Sequence, residues 1–240
     1  MLRHELFKLT SLRWLRLATV AVLAATALMA LVVAQALADP AAPLTDDVGL
    51  AHLVLRTSTP AHVCAALVGV ACVRGDLRDG VLRLTLIAHP RRGQVLRAKF
   101  AAAASVSGVI SATGAVTGLV VTSLATETAP PSVWAFGVAA HVAQSLLWVA
   151  AGVTAGTLVS HHTAAALAVL AVPLVVEPAM ANVMSPPHAD RLPFRSAMSL
   201  YAMMDSPASV AQSLVGATPM VMAMSLALAL AARRFRALDI

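Results

Sequence analysis

Long apolar runs alternate with short polar segments along this chain. None of the runs alternates polar and apolar residues at every second position, which is the pattern of barrel strands. About 20 apolar residues in a helix cross the roughly 30 Å hydrocarbon core of a bilayer. The pattern therefore predicts an all-α membrane protein with six transmembrane helices. These spans cover approximately residues 17–37, 60–73 (or from about 53), 100–124, 134–159, 163–183 and 209–232.

The residues before the first span have an amphipathic pattern of their own. Basic side chains lie off an apolar stripe, as in a helix that rests in the membrane interface. Ala36-Leu37-Ala38 before Asp39 also fits the cleavage site of a signal peptide. The first apolar run is longer than the core of such a peptide, so we expect a retained interfacial helix. Its stripe consists of Leu2, Leu6, Leu9 and Leu12.

Composition supports lipid as the solvent for much of the surface. Apolar residues make up 59% of the chain and charged residues 12%, whereas soluble domains carry about 25% charged residues. With six spans and the N-terminus inside, 14 of the 17 Lys and Arg fall on one side. The positive-inside rule then predicts that both termini are cytoplasmic, in a bacterial inner (cell) membrane. The net charge of +6 reflects topology and contact with anionic lipid rather than nucleic-acid binding.

A polar segment, residues 74–99, interrupts the apolar pattern between the second and third spans. It reads RGDLRDGVLRLTLIAHPRRGQVLRAK and holds seven of the 17 Lys and Arg. It resembles the cytoplasmic segment of type-2 ABC transporter permeases, whose pattern is E-x-R-x-G-T-L-R-x-T-L-x-x-x-P-x-R followed by a Lys. Asp76 in place of Glu and Val81 in place of Thr depart from it. The positions in register with the pattern are Asp76, Arg78, Gly80, Leu82, Arg83, Thr85, Leu86, Pro90 and Arg92, with Lys99 after them.

The resemblance implies that this segment contains a coupling helix, which docks in a groove of a separate nucleotide-binding subunit. Gly80 is expected to permit a bend, and Pro90 to end the helix at about His89. The alternative is that the arginines only fix topology. The predicted apolar knob is Leu82, Leu86 and Ile87, and the arginines expected to meet acidic groups or lipid phosphates are Arg78, Arg83, Arg91 and Arg92.

Fold, layout and function follow as expectations from the same resemblance. Residues 1–240 would form one transmembrane permease domain, with the coupling loop at 74–99 and a long outer loop at 184–208. Two such units, as a homodimer or with a homologous permease, would export an apolar or amphipathic compound such as an antibiotic, a peptide or a lipid. The chain itself would be neither an enzyme nor a metal protein. ATP and Mg²⁺ would bind to the partner subunit.

Glu177 is the one carboxylate deep in an apolar run. Ionisable residues within spans are functional candidates, so Glu177 is a candidate for the transport pathway. A proton-coupled secondary carrier that uses groups such as Glu177 is therefore an alternative function. An intramembrane enzyme is a third alternative, although the chain has no GxxxxGK[ST], HExxH or GxSxG motif. The GxxxG pairs Gly114/Gly118 and Gly152/Gly156 predict close helix packing within the chain.

Overall fold

A computed structural model describes residues 1–37, 55, 59–125, 131–204 and 209–237, and within these ranges it contains helices and no strand. The elements are α1 (Leu2–Ser11), α2 (Arg13–Leu37), α3 (Thr59–Arg78), α4 (Val81–Ala88), α5 (Arg92–Ala125), α6 (Pro131–Leu158), α7 (His162–Ala171), a π-helical segment (Val172–Val176), α8 (Glu177–Ala181), α9 (Pro186–Ala189), α10 (Pro193–Ala197), a 3-10 segment (Met198–Met204), α11 (Val210–Gly216) and α12 (Thr218–Arg236).

Five described helices are long and apolar enough to cross a membrane, and a sixth span results if α11 and α12 are taken together across their 49° bend. The all-α, multi-pass class predicted from the sequence is confirmed. The described spans overlap the predicted ones, but the third begins at Arg92 rather than near residue 100. Residues 205–208 of the predicted outer loop lie outside the described residues. The five are Arg13–Val33, Thr59–Arg78, Arg92–Leu124, Pro131–Leu158 and His162–Ala181.

The fifth span is not a uniform α-helix. Its π-helical segment, Val172–Val176, separates α7 from α8. Pro173 has no N–H to continue the ladder and its ring crowds the preceding turn, which favours a wider local turn. Pro178 repeats the same constraint at the start of α8. The break therefore follows from the two prolines, and it sets the direction in which Glu177 points.

Helices α3 and α6 form the centre of the bundle. In each of them, 61% of the most apolar 18-residue stretch is buried, compared with 22% in the first span and 17% in the fifth. A Cβ on Gly152 would lie 2.1 Å from the carbonyl oxygen of Ala66, and one on Gly69 would lie 2.6 Å from that of Val149. The two backbones are thus in direct contact, which only glycine allows. Gly156 meets Val70 in the same way, at 3.0 Å, so packing within the chain is confirmed for the Gly152/Gly156 pair.

Polar contacts gather several helix ends at one end of the bundle, here called the basic end. Arg74 near the end of α3 donates to the carbonyl of Val159, just after α6. Arg92 at the start of α5 donates to the carbonyl of Arg236 at the end of α12, at 3.1 Å. At the opposite end Gly137 of α6 faces Met204 of the 3-10 segment. Arg74, Arg92 and the last residues of α12 therefore lie at the same end of the bundle as α4.

Candidate functional site

Helix α4 is an eight-residue amphipathic helix held at both ends. Gly80 precedes it with φ +69°, the only positive φ among the described residues, and a side chain there would crowd the backbone. The helix stops at Ala88, because His89 turns away and Pro90 cannot continue it. The bend at Gly80 and the stop near His89 agree with the sequence prediction.

The faces of α4 differ from the predicted arrangement. Leu82 is 1% exposed and belongs to the core, and Leu86 packs against that core. The exposed apolar side chains are Leu84, at 68%, and Ile87, at 75%. The predicted knob of Leu82, Leu86 and Ile87 is therefore wrong at Leu82, which is buried. Leu86 is half-buried, Ile87 is exposed, and the exposed Leu84 was missed. An eight-residue helix needs an anchoring face, and Leu82 and Leu86, four residues apart, supply it.

The arginines around α4 are mostly exposed. Arg78 pairs with Asp79 through a hydrogen bond of 2.8 Å between its Nε and a carboxylate oxygen. That bond lowers the pKa of Asp79. Arg83, Arg91 and Pro90 are exposed, and Arg92 is half-buried at its contact with Arg236. We call this surface the outer face of α4. It consists of two apolar side chains, Leu84 and Ile87, with these arginines around them.

A buried ion cluster lies behind α4 and joins α1, α3 and α5. The Lys99 ammonium is 3.1 Å from both carboxylate oxygens of Glu5 and also pairs with Asp76, which pairs in turn with Lys8. Glu5, Asp76 and Lys99 are each at most 3% exposed. Burial lowers the pKa of Lys8, with the neighbouring charge of Lys99 as the second cause. Two carboxylates and two ammonium groups leave the cluster formally neutral.

The sequence placed Asp76 in the docking surface, and the structure shows that it does not belong there. Its carboxylate is turned inward, where it pairs with the buried Lys99 and the half-buried Lys8. The sequence analysis did not predict that Glu5 and Lys8 belong to the same ion cluster as Asp76. One signal was available, since Glu5 lies four residues before Leu9 and so shares the buried stripe of α1. A carboxylate on the apolar face of an interfacial helix indicates a buried cation nearby.

A groove of about 430 Å³ opens beside the cluster, between α1, α3 and the start of α7. Its walls combine apolar side chains such as Leu67 and Leu12 with charged ones such as Arg78 and Asp79. Trp14 and His162 also line it. A groove with an apolar wall and a charged rim can take a molecule that is itself amphipathic.

Glu177 is 3% exposed and bonds the segment that follows the fifth span. One carboxylate oxygen accepts from the backbone N–H of Phe194 at 2.9 Å, and the other from that of Arg195 at 3.0 Å. Both oxygens thus hold the start of α10 against the broken fifth span. In this conformation Glu177 caps a helix and does not line an open passage; its role in transport stays a prediction.

Among the described residues, no group of three or more His, Cys, Asp or Glu side chains is arranged to hold a metal ion. The basic end carries ion pairs and, on α4, two exposed apolar side chains. Comparison of the chain with protein-family models and with curated proteins finds no match, so the resemblance to type-2 ABC permeases rests on residues 74–99 and the span layout.

Proposed function

We propose that this chain is the membrane-spanning subunit of an ATP-driven ABC exporter, and that the outer face of α4 docks on a nucleotide-binding subunit. The observation that carries the proposal is the build of α4. A bend at Gly80, a stop before Pro90 and the buried Leu82 fix the helix. Its opposite face presents Leu84 and Ile87 between two spans.

Magnitudes favour the apolar pair as the source of affinity. Removing a Leu or Ile side chain from water contributes about 1.5–3 kcal/mol, whereas an exposed ion pair contributes about 0–1 kcal/mol. Leu84 and Ile87 are more than two-thirds exposed in the chain alone. The arginines around them add orientation and selectivity for an acidic rim on the partner. This surface therefore matches a partner groove with an apolar floor and acidic edges.

The ion cluster supplies a route from α4 into the spans. Leu82 ties α4 to the core, and Asp76, two residues before the end of α3, is tied to α1 and α5 through Lys8 and Lys99. A push on α4 therefore moves three helices together rather than one. Such rigid coupling is what a transporter needs if ATP hydrolysis occurs on a separate subunit.

The proposed cargo is apolar or amphipathic and enters from the membrane. The groove beside α1 has both an apolar wall and a charged rim, and α2 and α7 expose apolar faces to lipid or to a second permease copy. The proposed setting is a bacterial inner membrane with both termini cytoplasmic, since the basic residues gather at one end. No part of this proposal requires a cofactor on the chain itself.

The test is retention of an ATPase by the tagged chain extracted from its native membrane. Leu84→Asp and Ile87→Asp should each reduce retention by about tenfold or more, and uncouple transport from ATP hydrolysis. Val183→Asp is the matched control, because Val183 is an apolar residue 86% exposed outside α4. Arg91→Ala controls for loss of a single charge. Retention at the wild-type level in both Asp variants, or no ATPase bound to the wild-type chain, would overturn the proposal.

A further inference from the structure

Two histidines touch inside the bundle, away from the basic end. His62 of α3 and His141 of α6 have ring centroids 4.5 Å apart at an angle of 54°. Their side chains are 3% and 0% exposed. His141 is ten residues into α6, about 15 Å of helix rise from its first residue. Neither ring takes part in the docking surface or the ion cluster, so their burial needs a separate explanation.

The same face of α6 carries further polar atoms that lack partners. Gln144 and Trp148 follow His141 at helical spacing and are almost fully buried. The Trp148 ring stacks over His62 with centroids 6.0 Å apart. In the part of the chain that the structure describes, no hydrogen-bond partner reaches Nε2 of His62, Nε2 of His141, Oε1 of Gln144 or Nε1 of Trp148.

The other side of His141 is fixed. Its Nδ1 is 2.8 Å from the hydroxyl of Tyr201 on the 3-10 segment. Ser111 of α5 donates to the His141 carbonyl at 3.2 Å and lies 2.6 Å from the hydroxyl of Ser145. The ring is therefore oriented by Tyr201, and its free Nε2 is held in place. Oriented polar atoms left unpaired in a buried site are costly.

We propose that His62, His141, Gln144 and Trp148 form a hydrated proton-binding site within the membrane bundle. The indole N–H of Trp148 only donates, the amide oxygen of Gln144 only accepts, and an imidazole nitrogen does either. Water supplies both donors and acceptors and satisfies two to four such groups at once. One added proton turns an imidazole into a double donor, and the facing imidazole and Gln144 offer acceptors for it.

The proton comes from bulk water and returns there, and no covalent bond is made or broken. Other titratable side chains of the described residues lie near this pair. Tyr201 contacts His141, and Cys64 lies two residues from His62 on α3. Glu177 is joined to the site through Phe194, whose ring packs on Trp148 with centroids 4.9 Å apart. The two imidazoles therefore titrate as a coupled pair. This inference does not depend on the proposed transport function.

The test is nuclear magnetic resonance of the full chain in lipid nanodiscs, with isotope-labelled histidine and tryptophan. The indole N–H of Trp148, whose residue is 4% exposed, should show a cross-peak to water. Replacing His141→Gln should shift the titration midpoint of His62 by about one pH unit or more, and His62→Gln should do the same to His141.

His188→Gln is the matched control, since His188 is exposed and bonded to Ser185; it should leave both midpoints unchanged. The water cross-peak requires no variant, so it tests the site even if a substitution impairs folding. The proposal is overturned if Trp148 shows no water contact, if neither histidine titrates, or if each keeps its midpoint when the other is replaced.

Discussion

At the residue scale, Lys99 shows how a charge is tolerated inside this bundle. Its side chain is 0% exposed, and an ammonium group left alone there would be far too costly to remain charged. Glu5 and Asp76 surround it, and Lys8 compensates the second carboxylate. A buried pair of this kind contributes modestly to stability, whereas breaking it leaves an uncompensated charge.

Replacing Lys99→Met should therefore destabilise the chain by about 3–5 kcal/mol, because Glu5 and Asp76 would then share the single ammonium of Lys8. Chemical unfolding in the same detergent or lipid measures the change. Arg78→Met removes an ion pair of similar composition that is fully exposed, and it should change stability little. Equal effects of the two substitutions would show that the cluster is not a unit.

Gly80 offers a second test at this scale. Gly80 has φ +69°, and a Cβ there would meet no atom within 4 Å apart from its own and its neighbours' backbone. Gly80→Ala therefore changes only the backbone preference and should destabilise the chain by about 1–2 kcal/mol. Gly93 is equally open but lies in the helical conformation of α5, so Gly93→Ala should be neutral or stabilising. A loss of stability in the Gly93 variant rather than the Gly80 variant would contradict this account.

At the element scale, the sequence predicted what local chemistry decides. The ends of α4 follow from Gly80 and Pro90, and the identity of the spans follows from their apolar length. The inward direction of Leu82 and Asp76 was not predicted. It depends on how α4 and the end of α3 lie against α1 and α5, which is a tertiary property. The segment that was predicted to be a docking surface therefore has one buried face and one exposed face.

The pairing of Glu177 with the start of α10 could not be predicted for the same reason. Its partners are backbone N–H groups 17 and 18 residues away, and backbone groups leave no trace in a residue pattern. The sequence showed an expensive carboxylate within a span. It did not show that a five-residue helix, α10, depends on that carboxylate for its cap.

Replacing Glu177→Gln should weaken the hydrogen bonds that hold the start of α10. An amide has one acceptor oxygen, whereas the backbone N–H groups of Phe194 and Arg195 each need one. Losing a charged hydrogen bond costs about 1.5–3 kcal/mol. Hydrogen exchange at the Phe194 and Arg195 amides should accelerate by about 10- to 150-fold. Asp190→Asn is the control, since Asp190 is exposed and its carboxylate pairs with the Arg195 guanidinium rather than with either amide. Unchanged exchange in the Glu177 variant would remove the capping role.

At the scale of the whole molecule, charge and packing agree on two distinct ends. The basic end collects α1, α4 and the end of α12, and the opposite end collects the 3-10 segment and the start of α6. Apolar length alone predicted the spans, since lipid requires every span to satisfy its own backbone. The bends in the fifth and sixth spans required the local effects of proline and of tertiary contacts, which hydropathy does not contain.

This arrangement predicts the labelling of single cysteines in a background where Cys64 and Cys72, both buried, are replaced by Ala. Cysteine at position 83 on α4 and at position 234 on α12 should react with a membrane-impermeant reagent only after the cytoplasmic face is opened. Cysteine at position 191, between α9 and α10, should react in intact cells. Arg83, Arg191 and Arg234 are all exposed, so accessibility itself does not limit the reaction. Three spans lie between α4 and α9, so positions 83 and 191 should lie on opposite faces of the membrane. Labelling of both positions from the same face would contradict this arrangement of spans.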